Sequence, residues 1–136
     1  MLKNKLYDVI TLYDCVQDPA SLAWLITMDV PLPGTIPAGR YPTPDEIRQR
    51  LENIPSIDAH FLTGRSCWQA TLTHREDVSW AVLELRDYTG NQADPHHFVF
   101  TAGWDEVIVL VTVHLARLCG PLVLLPSSGA APQIIM

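Results

Sequence analysis

Basic residues are scarce in this chain. Nine Lys and Arg stand against fifteen Asp and Glu in 136 residues, a formal net charge of −6, and no basic run occurs. A phosphate backbone is neutralised by clustered Lys and Arg, so nucleic acid is not an expected partner. An acidic surface suits a basic protein instead. Charge of either sign is sparse, at 18%, while 48% of residues are apolar. Disordered chains have the opposite balance. The shortage also suggests that some surface lies against a partner, a second copy included.

Cysteine is as sparse. Cys15, Cys67 and Cys119 are far apart and odd in number. That excludes a disulfide framework, and no CxxC pair offers zinc or redox chemistry. A reducing cytoplasm is the expected compartment. Residues 1–5, Met-Leu-Lys-Asn-Lys, lead into a stretch broken by Asp8 and Asp14, unlike the apolar core of a signal peptide. Only residues 107–126 approach bilayer length. Arg117 would sit near mid-membrane there, at a cost of roughly 2.5–3.5 kcal/mol. His114 and the Gly120-Pro121 pair add to the obstacle, so no membrane span is expected.

Catalytic signatures are missing too. No glycine pattern matches a phosphate loop or a dinucleotide fingerprint, and no HExxH or HxH occurs; no cofactor is expected. Ser127-Ser128-Gly129 lacks the GxSxG of a nucleophile elbow. His114 and Cys119, five apart on one helix, do not face each other. The acids Asp105-Glu106 open a helix, where they complement its dipole. Glu76-Asp77 fall in a turn between strands.

What is present reads as one α+β domain over residues 1–136. Its expected architecture is a two-layer sandwich, a mainly antiparallel sheet with helices mainly on one face. Residues 6–15 fit either period; the strand-forming types at Tyr7, Val9, Thr11 and Tyr13 favour a strand. Asp18-Pro19 then starts a helix running to about Met28. Residues 31–44 hold Pro31, Pro33, Pro37, Pro42 and Pro44, which forbid regular structure. This segment is either a functional loop or a covering strap. Thr43-Pro44-Asp45-Glu46 is a capping box, opening a helix that buries Ile47, Leu51 and Ile54.

Alternating patterns predict strands at 57–62, 68–73, 80–85 and 98–100, with short turns favouring antiparallel neighbours. Residues 104–118 carry an apolar stripe with an apolar opposite face at Val109, Leu110 and Val113, predicting a helix buried on both sides. Leu122–Leu125 is a last buried strand, and residues 133–136 pair back as a short arm.

Asp94-Pro95-His96-His97 is the most suggestive polar cluster. Neighbouring strand residues point to opposite faces, so one metal would meet only one of the two histidines; no metal site is expected. Trp68 and Trp80 sit in adjacent strands, and tryptophan is enriched at interface hot spots. If both lie on one sparsely covered face, that face is a docking surface.

Two functional expectations follow. The first is a non-catalytic interaction or regulatory module, such as an immunity-protein-like antagonist of a basic protein. The second is a small-molecule or metal-binding protein or enzyme. Its pocket would be formed by Tyr88, Asp94, His96 and His97, with the 31–44 segment as lid. A homodimer through the Val109/Leu110/Val113 helix face is compatible with both.

Overall fold

Thr43 accepts a hydrogen bond from the Glu46 amide at 3.2 Å, and the Glu46 carboxylate accepts from the Thr43 amide at 3.0 Å. This reciprocal capping box opens a helix at Pro44–Glu52. A second start signal also holds: Asp18 accepts from the Ser21 amide at 3.1 Å, ahead of the helix Pro19–Thr27. The computed structural model describes residues 6–136. The expectation about a leader rests on residues 1–5 and lies outside them.

The elements in order are β1 (Tyr7–Thr11), α1 (Leu12–Gln17), α2 (Pro19–Thr27), α3 (Pro44–Glu52) and β2 (Ile57–Thr63). There follow β3 (Trp68–His74), β4 (Trp80–Leu85), β5 (Phe98–Gly103), α4 (Asp105–Cys119), β6 (Leu122–Pro126) and β7 (Gln133–Ile135). The strand expected over 6–15 is corrected, because the chain changes period at Thr11. The Thr11 hydroxyl accepts from the Asp14 amide at 3.1 Å and caps α1. One short strand and one short helix therefore share the stretch.

The seven strands form one antiparallel sheet in the order β2-β3-β4-β5-β1-β6-β7. Strands β2 to β5 are a meander of sequence neighbours. The first strand in the chain then lies between β5 and β6. This is the expected α+β fold on an antiparallel sheet, but the helices divide between the two faces, α3 and α4 on one and α1 and α2 on the other, rather than lying mainly on one.

Side-chain alternation assigns each strand residue to a face. Phe98, Phe100, Leu83, Leu72, Val9 and Leu124 line the core face, beneath Ile47 and Leu51 of α3 and Ile108, Val111 and Leu115 of α4. Each such fully buried aliphatic side chain contributes about 1.5–3 kcal/mol relative to exposure. Val109, Leu110 and Val113 are half-buried against this same core. The helix face expected to join two copies is therefore largely engaged within the chain.

The reverse face is divided. Over β1, β6 and β7, the residues Ile10, Val123, Leu125 and Ile134 meet Leu12, Cys15 and Leu25 of α1 and α2 in a second apolar cluster. Over β2 to β4, the alternate residues carry no such layer among the described residues. Asp58, His60 and Leu62 are exposed, while Thr71, Trp80 and Val82 are half-buried.

Residues 31–44 carry the chain from α2 on the reverse face to α3 on the core face. The Arg40 amide donates to the Cys119 carbonyl at 3.1 Å, and Pro42 accepts from the His96 amide at 3.0 Å. A Cβ on Gly39 would stand 2.8 Å from the Cys119 carbonyl oxygen and 2.9 Å from Thr11. Only glycine allows so close a crossing. Of the two readings of this segment, the covering strap describes its contacts.

Candidate functional site

The β4–β5 connection brings Tyr88, Asp94, His96 and His97 together. Of these, Asp94, His96 and His97, with Arg86, Asp87, Thr89 and Pro95, border a cavity of about 430 Å³. His96 is 5% exposed. Its Nε2 accepts from the Thr89 amide at 3.2 Å, and its Nδ1 lies 2.7 Å from the Asp94 carbonyl oxygen. The Nδ1–H tautomer satisfies both contacts, donating to the carbonyl and accepting at Nε2. Both ring nitrogens are thus spent on holding the loop closed. The Asp94 carboxylate accepts from the Thr89 hydroxyl at 3.0 Å. Tyr88 lies against the His96 ring, 5.4 Å between centroids, with its hydroxyl bonded to the Gln92 side chain.

The His97 ring takes no part in these loop-closing hydrogen bonds. Its exposed ring stacks on Tyr41 of the strap, centroids 3.9 Å apart and planes 16° from parallel. The Tyr41 hydroxyl donates to Asp14 at 2.9 Å and accepts from the Thr11 amide at 3.2 Å. Burial first, with the Asp14 carboxylate adding, pushes this phenol up to about 12. The two histidines therefore do different jobs: one closes a loop, the other pins the strap. No group of three or more His, Cys, Asp or Glu among the described residues is placed to hold a metal ion.

The cysteines are free. Burial pushes the Cys119 thiol up to about 11 and also raises Cys15. A thiol so raised is a poor source of the thiolate that nucleophilic chemistry requires. His114 is lowered by burial, with Arg117 and Arg50 adding to the effect. Arg50 and Arg117 occupy the last turns of α3 and α4, where cations complement helix dipoles.

Trp68 and Trp80 point to opposite faces. Gln69 lies opposite Glu84 in the β3–β4 pairing, an odd position facing an even one. Residues of like parity in these strands therefore project to opposite sides. Trp68 enters the core at 1% exposure, against Phe61 at 5.5 Å. Its indole N–H is buried with no acceptor among the described residues, a condition that costs about 1–3 kcal/mol. Trp80 lies on the uncovered side.

That open face is the second candidate, one that the sequence suggested only through Trp80. Its rows follow from the register. Leu62, Gln69, Glu84, Val99 and Asp8 line up across five strands, as do His60, Thr71, Val82 and Ala102 across four. Asp58, Thr73 and Trp80 form a third row. Asp58 pairs with Arg75 at 2.8 Å and Asp8 with Arg86, while Glu84 has no ion pair among the described residues. The β3–β4 hairpin projects Val78 at the border, 74% exposed and at φ 53°. A β-branched residue is strained in that left-handed region.

No helix among the described residues is long and apolar enough to cross a membrane. No family model, curated protein or solved structure matches the chain.

Proposed function

We propose that the protein is a non-catalytic interaction module that docks a basic protein partner on the open half of its reverse face. The observation that carries this reading is the division of that face. Among the described residues Trp80, Val82 and Leu62 have no covering layer, whereas the other half is capped by α1 and α2. Tryptophan beside aliphatic and threonine side chains gives an apolar centre with a polar rim, the usual composition of a contact patch. Glu84 and the net charge of −6 supply the electrostatic preference for a basic partner. An antagonist or regulatory subunit would work in this way, by occupying its partner's surface.

The reading of the His96 and His97 loop as a ligand pocket finds less support. Its buried histidine has no free nitrogen, and its proposed lid is hydrogen-bonded in place.

The test compares the wild-type chain with Trp80→Ala and Glu84→Lys as baits in low and high salt, with Asp45→Lys on α3 as the control. Proteins retained by wild type and control, and lost at least tenfold by both face variants, are the expected result. Retention equal across all four chains would place the partner elsewhere.

A further inference from the structure

Several cations of this acidic chain are answered by a neighbour. Arg40, Arg75 and Arg86 each pair with an acid, and Arg48 lies over the Phe61 ring at 4.1 Å. Arg50 and Arg117 have no ion pair among the described residues. They converge where α3 packs on α4.

On α3, Glu46, Arg50 and Asn53 form a stripe at helical spacing, beside the buried Ile47, Leu51 and Ile54. On α4, His114 and Leu118 stand four apart and share a face, with Arg117 three residues from His114. A cavity of about 250 Å³ lies between the helices, bordered by Glu46, Gln49, Arg50, Asn53 and Leu118. His114 is half-buried, and the charges of Arg117 and Arg50 add to the burial that lowers its pKa. One guanidinium from each helix therefore stands near enough to act on this ring.

A helix C-terminus rewards a cation, but the carbonyls here are already served. The Asn53 side chain donates to the Gln49 carbonyl at 2.7 Å, and its amide to the Arg50 carbonyl at 3.2 Å. On α4, the Gly120 amide donates to Ala116 at 2.9 Å and the Arg40 amide to Cys119 at 3.1 Å. Glu46 faces the same cavity, yet its carboxylate accepts two bonds from Arg40 and one from the Thr43 amide. Its charge is answered, and those of Arg50 and Arg117 are not.

We infer that the groove between α3 and α4 binds a small dianion, held by Arg50 and Arg117 with His114 beside it. A guanidinium meets carboxylate or phosphate oxygens through a planar fork of donors. Two such groups suit a doubly charged ligand. The cavity is smaller than the roughly 300–1,000 Å³ of pockets that take drug-sized ligands, which suits phosphate or a short dicarboxylate. The inference does not rest on the docking face, which lies on the other side of the sheet.

Calorimetric titration of the full chain with inorganic phosphate, and separately with malonate, tests it. Ionic strength is held constant with chloride, at a pH where both anions are doubly charged. Saturable one-to-one binding of at least one anion is expected, and the tighter of the two tells a phosphate site from a carboxylate site. Arg50→Gln and Arg117→Gln are each expected to weaken binding at least tenfold, while Arg65→Gln, in the β2–β3 turn, leaves it unchanged. An NMR titration of His114 in the wild-type chain needs no variant to fold. Its pKa is expected to rise when the anion is bound, because the ligand offsets Arg117 on its own helix and Arg50 on α3. Absence of saturable binding for both anions would overturn the proposal. So would binding that leaves the His114 pKa unmoved or survives both arginine replacements.

Discussion

The two halves of the reverse face are built from the same sheet yet finished differently. Over β1 and β6, strand residues such as Ile10 and Val123 alternate with core-face residues that are equally apolar, so these strands are hydrophobic on both sides. A strand apolar on both sides must be covered on both, and α1 and α2 supply that cover. Over β2 and β3 the alternate residues are Asp58, His60, Gln69, Thr71 and Thr73, which tolerate water. What is anomalous on the open half is the apolar remainder, Leu62, Trp80 and Val82. The contrast separates residues retained for folding from residues available for contact.

Substitution sharpens the contrast most directly at Leu25, the fully buried residue of α2. Leu25→Ala is expected to cost about 2–5 kcal/mol, read by urea unfolding. Val82→Ala on the open half is expected to cost less than about 1 kcal/mol. Equal losses would mean that the open half is as structural as the capped one.

A smaller effect is expected where the strap meets α3. Arg40 makes two hydrogen bonds to Glu46, at 2.8 and 2.6 Å. These, with the Thr43 amide, hold the carboxyl at about 2 instead of its ordinary 4.5. A carboxyl lowered in the folded state stabilises above its unfolded value and loses that contribution as it becomes protonated. Stability should therefore fall as pH drops from about 4.5 to about 2. The pair is partly exposed, at 51% and 32% for the two side chains. Solvent screening limits the expected loss in Glu46→Gln at neutral pH to about 1 kcal/mol. The variant should also show a flatter acid limb in thermal unfolding.

The smallest effect carries the opposite sign. Val78→Gly relieves the left-handed strain at the hairpin tip and is expected to stabilise by about 0.5–1 kcal/mol. Calorimetry would show this as a raised Tm. If Val78 is part of the docking face, the same variant should bind the basic partner less tightly while unfolding at a higher temperature.

Local signals were legible in the sequence wherever one element held its own pattern. Thr43 to Glu46 announced its helix because every partner lies within four residues. The alternation in β3 and β4 announced strands for the same reason. Residues 6–15 misled because strand and helix succeed each other within ten residues, so each period is sampled for barely one repeat. The position of β1 between β5 and β6 depends on pairing across some ninety residues and leaves no local trace. The roles of His96 and His97 were hidden likewise. They are decided by the Thr89 amide and by the Tyr41 ring. The opposed directions of Trp68 and Trp80 depend on hairpin register, which the turn at 75–79 sets and composition does not.

The placement of β1 has a consequence for assembly in time. Synthesis delivers Tyr7–Thr11 ahead of the other described strands, whereas its neighbours Phe98–Gly103 and Leu122–Pro126 follow only after the whole β2 to β4 meander. The β2 to β5 meander closes through short loops and can form early, whereas β1 must close loops of about ninety residues or more, which is slow. Until then β5 keeps a vacant side, and the emerging chain waits with its central seam unsewn. The last contact to form is the one nearest the middle.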